Sequence, residues 1–205
     1  MIGIIDYGMG NLGSVSNACR FLGMDARILS KPDEVSSCGA LILPGVGAFG
    51  DCMEHLEGHG FVPVIRDWLR ADKPFLGICL GLQLLYEGSE ESPGVKGLGV
   101  LPGTIRRFAL PKEWKVPQIG WNEVRQAKKD CPLFKDIPDG TYFYFVHSYY
   151  AENGPVAAGV TPYGLDYASA IWRGNMMAVQ FHPEKSQKLG LRMLANFGEW
   201  AALKT

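Results

Sequence analysis

One stretch constrains the fold more than any other, because two hydrophobic periods meet in it at a single cysteine. Residues 75–78 are typical of a buried strand. Within residues 80–87, Leu80, Gln83, Leu84 and Glu87 recur at helical spacing. The chain must therefore turn sharply at Cys79 and enter a helix directly. Gly77 and Gly81 flank the turn in a G-x-C-x-G pattern, which lets strand and helix approach closely while a nucleophile projects between them.

The position predicted for Cys79 favours nucleophilic chemistry. A thiol at a helix N-terminus lies near unpaired N–H groups and the positive end of the helix dipole, which lowers its pKa. The backbone amide of Leu80 is then placed to donate to an oxyanion. The alternative is an ordinary buried core cysteine, since free cysteine is among the most buried residue types. The turn alone leaves both interpretations open.

Composition excludes several classes of protein. The 205 residues carry 20 basic and 21 acidic side chains without a long basic run, so nucleic-acid binding is not expected. No apolar run approaches the roughly 20 residues that a membrane span needs. Five cysteines without a C-x-x-C pair fit neither a disulfide framework nor a zinc ribbon. The first residues enter a strand without a charged leader, and we expect a cytoplasmic protein.

Strands and helices alternate through the first half of the chain, the pattern of a parallel sheet covered on both faces. The predicted elements are strands at 2–6, 26–29, 40–43 and 75–78 and helices at 11–22, 51–56 and 61–69. After residue 94 short alternating runs predict antiparallel strands, and residues 190–203 predict a closing helix. The expected fold is α/β, with three layers, an open, mixed and mostly parallel sheet, and a single domain over residues 1–205.

Two glycine-rich segments follow predicted strands. Residues 8–13 match G-x-G-x-x-G, but residues 28–31 hold no acid that could bind a ribose, so a tight turn is the better interpretation. Residues 44–50 contain three glycines and a proline, which lets backbone amides approach a ligand. A flexible surface loop is the alternative for this second segment.

Two histidines four residues apart, His55 and His59, have a spacing that can share a metal ion. The sequence offers no third ligand beside them, and two glycines indicate that the helix is ending there. We interpret them as part of a solvated helix face and expect no metal site.

A second chemical motif, His182-Pro183-Glu184, ends the strand predicted over residues 176–181. Proline keeps the residue before it extended, so the two flanking side chains project to one side, where a carboxylate can orient an imidazole. Together with Cys79 they supply nucleophile, base and orienting group. A core histidine beside a surface glutamate is the alternative.

These motifs resemble a known family. Gly-Ile-Cys-Leu-Gly-Leu-Gln at 77–83 and Gln-Phe-His-Pro-Glu-Lys-Ser at 180–186 are similar to the triad-type (class I) glutamine amidotransferases, whose fold is flavodoxin-like. Further similarity, to the HisH-type glutaminase subunits of imidazole glycerol phosphate synthases, lies at residues 6–11, 44–47, 120–122 and 145–149. The one departure is Leu82, where methionine is common.

The resemblance implies a site and a reaction. Cys79, His182 and Glu184 are the expected catalytic residues, and the amides of Val46 and Leu80 the oxyanion hole. L-Glutamine is hydrolysed through a cysteinyl thioester, and no cofactor is expected. The positions expected to bind substrate are Gly45, Gly47, Gln83, Glu91, His147, Ser148 and Tyr149.

The resemblance also implies a partner, because ammonia released into neutral water is mostly protonated and no longer nucleophilic. The expected partner is a separate (β/α)₈-barrel cyclase, which forms a heterodimer with an ammonia passage and makes imidazole glycerol phosphate and AICAR in histidine biosynthesis. Asn11, Trp121 and Tyr144 match positions that face it. The alternatives are a helix N-cap for the asparagine and core packing for the two aromatic residues.

Two other functions stay open at the level of sequence. One is a glutaminase that serves a different synthase, using chorismate or a pyridoxal phosphate precursor. The other is a flavodoxin-like binding module that holds a nucleotide at the glycine turn and has an unreactive Cys79.

Overall fold

The computed structural model describes residues 1–204, and within them twelve strands join into one mixed sheet. The strands are β1 (Ile2–Ile5), β2 (Ala26–Leu29), β3 (Ala40–Gly45), β4 (Phe75–Cys79), β5 (Tyr86–Ser89), β6 (Leu101–Arg107), β7 (Gln118–Gln126), β8 (Thr141–His147), β9 (Tyr149–Glu152), β10 (Ala157–Pro162), β11 (Asp166–Arg173) and β12 (Met176–Val179). The helices are α1 (Leu12–Phe21), α2 (Phe49–Gly58), α3 (Phe61–Arg70), α4 (Leu80–Gln83) and α5 (Gln187–Ala202). No helix within residues 1–204 is long and apolar enough to cross a bilayer.

The first half of the chain builds a parallel sheet in the order β2-β1-β3-β4, and β12 pairs in parallel with β4. Successive side chains of a strand point to opposite faces of a sheet. Ile4 and Ile42 therefore belong to the apolar cluster that includes residues of α1 and α5, whereas Ile5 and Leu43 belong to the cluster with α2 and α3. Helices cover both faces, which explains the continuous apolar runs of these strands.

The second half adds antiparallel strands beyond β12, in the order β11-β10-β7-β8. Along β8 the side chains alternate, with Phe143 and Phe145 buried and Tyr142 and Val146 exposed. Such alternation is typical of an antiparallel sheet with one solvated face. The predicted α/β class, with an open mixed sheet between helices, is confirmed.

The helix predicted over residues 80–87 is wrong in length. It ends after one turn at Gln83, and residues 86–89 form β5 instead. The carbonyl groups that would continue the helix are taken by a later segment, because the amides of Leu98 and Val100 donate to the oxygens of Leu84 and Leu85. These tertiary hydrogen bonds override the local helical period.

Two strand ends near the cavity also differ from the prediction, and one strand was not predicted. Strand β3 extends to Gly45 because its pairing with β4 continues to the Gly45–Cys79 pair. Strand β12 stops at Val179, and the amide of His182 then donates to the carbonyl of Tyr144 on β8. Strand β9 was not predicted. The result is that β3, β4, β8 and β12 all end near one another, at the edge where open α/β sheets place their sites.

Candidate active site

Cys79 lies at a strained turn between β4 and α4. Its backbone has φ 55° and ψ −111°, a conformation that costs a non-glycine residue about 1–3 kcal/mol and is held by the surrounding structure. A Cβ atom at Gly77 would lie 2.6 Å from the carbonyl oxygen of Gly81, and one at Gly81 would overlap the carbonyl oxygen of Leu43. Both glycines are therefore required by close backbone contact, as the motif predicts.

His182 and Glu184 form a buried pair just beyond β12. Nδ1 of His182 lies 2.8 Å from Oε1 of Glu184, and their side chains are 3% and 0% exposed. The prediction of an extended segment holds only for His182, since residues 183–185 form a 3₁₀ turn. That turn, rather than strand alternation, brings the carboxylate back to the imidazole.

The sheet brings Cys79 and His182 together at one cavity. Strands β4 and β12 are parallel neighbours with Ile78 opposite Val179. Cys79 and His182 therefore lie where these two neighbouring strands end. Nε2 of His182 is buried and has no hydrogen-bond partner among the described residues, so it is free to act on the thiol.

The charge of His182 is set by burial and by its two neighbours, Cys79 and Glu184. Burial alone lowers the pKa of His182, but the attraction of the Cys79 sulfur and the Glu184 carboxylate outweighs burial and raises the pKa to about 10. The imidazole is therefore protonated at neutral pH. A protonated imidazole beside a thiolate is the arrangement that thiol nucleophiles use.

The cavity has a volume of about 290 Å³, which suits a small polar metabolite. Its lining residues are Val46, Gly47, Cys79, Leu80, Gln83, Glu91, Pro117, Val146, His147, Ser148, Tyr149 and His182. Ten of these twelve lining positions were predicted from the sequence, and Pro117 and Val146 were not.

Gly45 is the one predicted substrate position that does not line this cavity. It lies under the turn, where a Cβ atom would come within 2.9 Å of both Leu80 Cβ and the Tyr7 hydroxyl. The two residues next to Gly45 are held by hydrogen bonds. The Tyr7 hydroxyl donates to the carbonyl of Pro44 at 3.0 Å, and the Cys52 thiol donates to the carbonyl of Val46 at 3.3 Å.

A family profile decides the classification. The profile described as "Glutamine amidotransferase class-I" matches residues 3–199. The chain belongs to the class-I glutamine amidotransferase family. The chain matches two relatives named "Imidazole glycerol phosphate synthase subunit HisH", and each match extends over 94% of the relative's length. The one from Moorella thermoacetica is 52% identical over 97% of this chain, and the one from Desulfitobacterium hafniense (strain DSM 10664 / DCB-2) is 49% identical over 98%.

A solved structure described as "Crystal structure of glutamine amidotransferase" shares the fold of this amidotransferase. It is 20% identical and has a TM-score of 0.76 over 98% of both chains. The resemblance inferred from the motifs is thus confirmed by both the sequence relatives and the fold.

Glu91 of this amidotransferase has a contact that the sequence did not reveal. Its Oε2 accepts a hydrogen bond from the amide of Phe49 at 2.8 Å, and the hydroxyl of Ser92 accepts one from Gly50 at 2.9 Å. These side chains cap the N-terminus of α2, where Ala48 has no polar side chain to do so. Glu91 also lines the cavity, so it can contact a ligand while fixing α2.

His147 is a second buried histidine in the wall of the cavity. Its Nδ1 lies 2.7 Å from the carbonyl oxygen of Tyr149, and its Nε2 lies 3.1 Å from the hydroxyl of Tyr167. Burial lowers the pKa of His147 to about 4, so the ring is neutral at neutral pH. Since a carbonyl only accepts, Nδ1 carries the proton and Nε2 is an acceptor.

Sequence reasoning missed Gln180, whose side chain is fully buried beside Cys79. Its Oε1 accepts a hydrogen bond from Gln83 at 2.9 Å, and its Nε2 lies 3.8 Å from the Cys79 sulfur. A signal was present, because Gln180 is the one polar residue in the apolar run 176–181. A polar residue in a buried strand usually has a specific partner.

The residues predicted to face a partner lie outside the cavity. Trp121 and Tyr144 are opposite each other on β7 and β8, with ring centroids 6.2 Å apart, and Trp121 is 45% exposed. Asn11 precedes α1, and its side chain makes no capping hydrogen bond within the described part of the chain. The N-cap alternative for Asn11 therefore lacks its expected hydrogen bond.

The two histidines with metal-like spacing are engaged with backbone. Nδ1 of His55 lies 3.2 Å from the carbonyl of Tyr7, and Nδ1 of His59 lies 2.8 Å from the carbonyl of His55. Among residues 1–204, no group of three or more His, Cys, Asp or Glu side chains is arranged to hold a metal ion.

Proposed function

We propose that the chain is a cytoplasmic glutaminase subunit that hydrolyses L-glutamine and passes the ammonia to a separate (β/α)₈-barrel cyclase. The cyclase uses it to make imidazole glycerol phosphate and AICAR in histidine biosynthesis. The observation that carries the proposal is one cavity lined by Cys79, at a strained turn, and by His182, which Glu184 orients. The two HisH relatives, about half identical over nearly the whole chain, support the choice of pathway.

The first half-reaction follows from the charges in the cavity. The Cys79 thiolate attacks the side-chain amide carbon of glutamine, and the amide carbonyl oxygen becomes an oxyanion. The backbone amides of Leu80 and Val46, both at the cavity, are the donors for that oxyanion. Protonated His182 gives its Nε2 proton to the amide nitrogen, ammonia leaves, and a glutamyl thioester remains on Cys79.

The second half-reaction regenerates the site. Neutral His182 takes a proton from water, and the resulting hydroxide attacks the thioester carbonyl. The carbon–sulfur bond breaks, glutamic acid leaves and loses its proton to solvent, and the thiolate faces a protonated imidazole again. Glu184 accepts the hydrogen bond of Nδ1 and holds the imidazole in position throughout.

Other residues that line the cavity offer groups for the amino-acid end of glutamine. Oε1 of Gln83 is buried with no hydrogen-bond partner among residues 1–204, so it can accept from a substrate N–H. Glu91 places a carboxylate at the cavity for the ammonium group. Gly47 and the backbone of residues 147–149 supply further polar groups.

An apolar strip on β7 and β8 is a suitable surface for the cyclase. Ile119, Trp121, Tyr142 and Val146 are all at least 37% exposed on the outer side of these strands. Val146 also lines the cavity, so the strip reaches the site where ammonia forms. A partner that covers this strip would keep ammonia from bulk water and would form the proposed heterodimer.

The test is reconstitution with a purified barrel cyclase. Glutamate release is measured for the chain alone, with cyclase, and with cyclase plus its acceptor ligand, and cyclase product is measured with glutamine as nitrogen source. We expect product only when both proteins are present. Binding to a chorismate-using or pyridoxal phosphate synthase instead would contradict the pathway.

A separate experiment tests the nucleotide-binding alternative. A glutamine analogue with an electrophilic side chain, 6-diazo-5-oxo-L-norleucine, should label Cys79 covalently, as peptide mass spectrometry will show. Nucleotide binding together with an unlabelled Cys79 would overturn the glutaminase proposal.

A further inference from the structure

Gln180 is a buried carboxamide directly behind the nucleophile. Its side chain is fully buried, and its backbone amide donates to the carbonyl of Ser169 at 2.8 Å, which fixes the residue at the end of β12. It precedes His182 by two residues, so both reach Cys79 from the same strand end. None of the steps proposed for glutamine hydrolysis uses this side chain.

A chain of hydrogen bonds determines the orientation of the Gln180 side-chain amide, that is, which of its two ends is the oxygen and which the nitrogen. The carbonyl of Tyr149 can only accept, so the Gln83 atom 3.1 Å from it must be the Nε2 donor. That nitrogen also lies 2.9 Å from Gln180, whose facing atom must therefore be the Oε1 acceptor. The remaining atom of Gln180, Nε2, then faces the Cys79 sulfur at 3.8 Å.

An N–H donor beside sulfur stabilises a thiolate more than a thiol. The other ionisable groups around Cys79 do not replace this donor. His182 is a separate, positively charged neighbour of the sulfur. Cys52 and Tyr7 are neutral, since burial raises the pKa of Cys52 to about 11 and that of Tyr7 well above its usual value. The carboxylate of Glu91 lines the same cavity.

The same bonds leave Gln83 with one free atom. Both Nε2 protons of Gln83 are used by Tyr149 and Gln180, and its Oε1 is buried without a hydrogen-bond partner in the described chain. A ligand that donates to this oxygen fixes the Gln83 amide, and through it the amide of Gln180. The nucleophile and the substrate wall are thus linked by two side chains.

We propose that Gln180 is a positioning residue for glutamine hydrolysis, which presents its N–H to the Cys79 sulfur and is itself oriented by Gln83. The expected change in kcat rests on the proposed function. The contact itself, an amide N–H that stabilises the Cys79 thiolate, does not depend on which molecule accepts the ammonia.

The test compares Gln180→Met and Gln180→Glu with the wild-type chain. Methionine keeps the volume but removes both polar atoms, and glutamate keeps the acceptor for Gln83 but removes the donor to sulfur. The rate of Cys79 alkylation by iodoacetamide is followed against pH by peptide mass spectrometry, which separates Cys79 from the other cysteines. We expect the midpoint of the profile to rise by about one pH unit in Gln180→Met and by more in Gln180→Glu.

The kinetic readout is the steady-state rate of glutamate release in the complex with cyclase and acceptor. We expect kcat to fall about tenfold in Gln180→Met while KM for glutamine changes less, after normalisation to the folded fraction measured by circular dichroism. Unfolded chains expose every cysteine, so alkylation of the buried Cys19 and Cys131 reports unfolding and separates it from a change at Cys79.

The matched control is Gln118→Met, which removes another buried carboxamide. Gln118 contacts the hydroxyl of Tyr167 and is 2% exposed, and none of its hydrogen bonds is to Cys79. Its alkylation profile should coincide with that of the wild type. Profiles of both Gln180 variants that also coincide with the wild type would overturn the inference.

The proposed function can fail separately. A wild-type chain that is alkylated at Cys79 yet releases no glutamate with the cyclase contradicts the glutaminase proposal, while the comparison of alkylation profiles still decides the role of Gln180.

Discussion

Two histidines in the wall of one cavity are buried almost equally and yet carry different charges. His182 is 2% exposed and has its pKa raised to about 10, whereas His147 is 7% exposed and has its pKa lowered to about 4. His147 bonds a neutral carbonyl and a neutral hydroxyl, while His182 faces a carboxylate and a sulfur. Burial alone favours the neutral imidazole, and at His182 the hydrogen bonds and electrostatic attraction of Cys79 and Glu184 reverse that effect.

The largest expected effect comes from removing the sulfur that charges His182. Cys79→Ser should abolish glutamine-dependent product formation in the complex, by about 10⁴-fold or more, because a serine hydroxyl is not ionised beside an imidazole. Product formation from added ammonium salt should persist, since the cyclase site is separate. Loss of both activities would contradict separate sites.

The same variant sharpens the comparison of the two histidines. In an NMR titration, the pKa of His182 should fall in Cys79→Ser because one of its two attractive partners is gone. His147 makes no hydrogen bond to the sulfur within the described structure, so its neutral state should persist.

The next effect comes from neutralising the other partner of His182. Glu184→Gln keeps an oxygen that can accept from Nδ1 but removes the charge, so the pKa of His182 should fall and kcat should decrease by about 10³-fold. Steady-state glutamate release and the NMR titration measure the two effects. Glu57→Gln, at an exposed position of α2, is the control and should retain wild-type kcat. A Glu184→Gln variant with wild-type kcat would exclude an electrostatic role for this carboxylate.

The charged half of the site, formed by Cys79, His182 and Glu184, was largely predictable from local sequence. Gly77, Cys79 and Gly81 specify a tight turn because close backbone contacts leave no room for side chains, and His182-Pro183-Glu184 places its two groups within a single turn. That the two motifs meet follows from α/β topology, which gathers the carboxyl ends of parallel strands.

The neutral half of the site, formed by His147, Tyr149, Gln83 and Gln180, was not predictable in the same way. Gln83, Gln180 and Tyr149 meet through contacts 66 and 97 residues apart in the chain, which no local pattern encodes. The same holds for the one-turn length of α4, because the bonds that end it come from residues 97–101. Sequence patterns indicate burial and period, while tertiary hydrogen bonds decide where an element stops.

A third prediction uses the pH dependence of stability to test the neutral state of His147. Its folded-state pKa lies below the unfolded value of about 6.5, so the unfolded chain binds the proton first, and stability is lost as pH falls from about 6.5 to about 4. The loss from this group is roughly 3 kcal/mol. In urea unfolding, His147→Gln should show a smaller decrease in the free energy of unfolding across this range.

The control for this prediction is His59→Gln, which removes an exposed histidine. Its free energy of unfolding should follow the wild-type dependence on pH. If the curves of His147→Gln and the wild type ran parallel between pH 4 and pH 7.5, burial would not be what keeps His147 neutral.

The smallest expected effect concerns the hydroxyl that holds the neutral histidine. The fully buried Tyr167 places its hydroxyl 3.1 Å from Nε2 of His147 and 3.0 Å from Oε1 of Gln118. Its single proton is donated to one of these two atoms, and Tyr167→Phe removes that hydrogen bond. The free energy of unfolding at pH 7 should fall by about 1–2 kcal/mol. The exposed Tyr142→Phe is the control and should change little, and Cys79 alkylation should stay at the wild-type rate in both. A Tyr167→Phe variant that slowed alkylation would mean that loss of this hydroxyl reaches Cys79 through the hydrogen bonds that join His147 to Tyr149, Gln83 and Gln180.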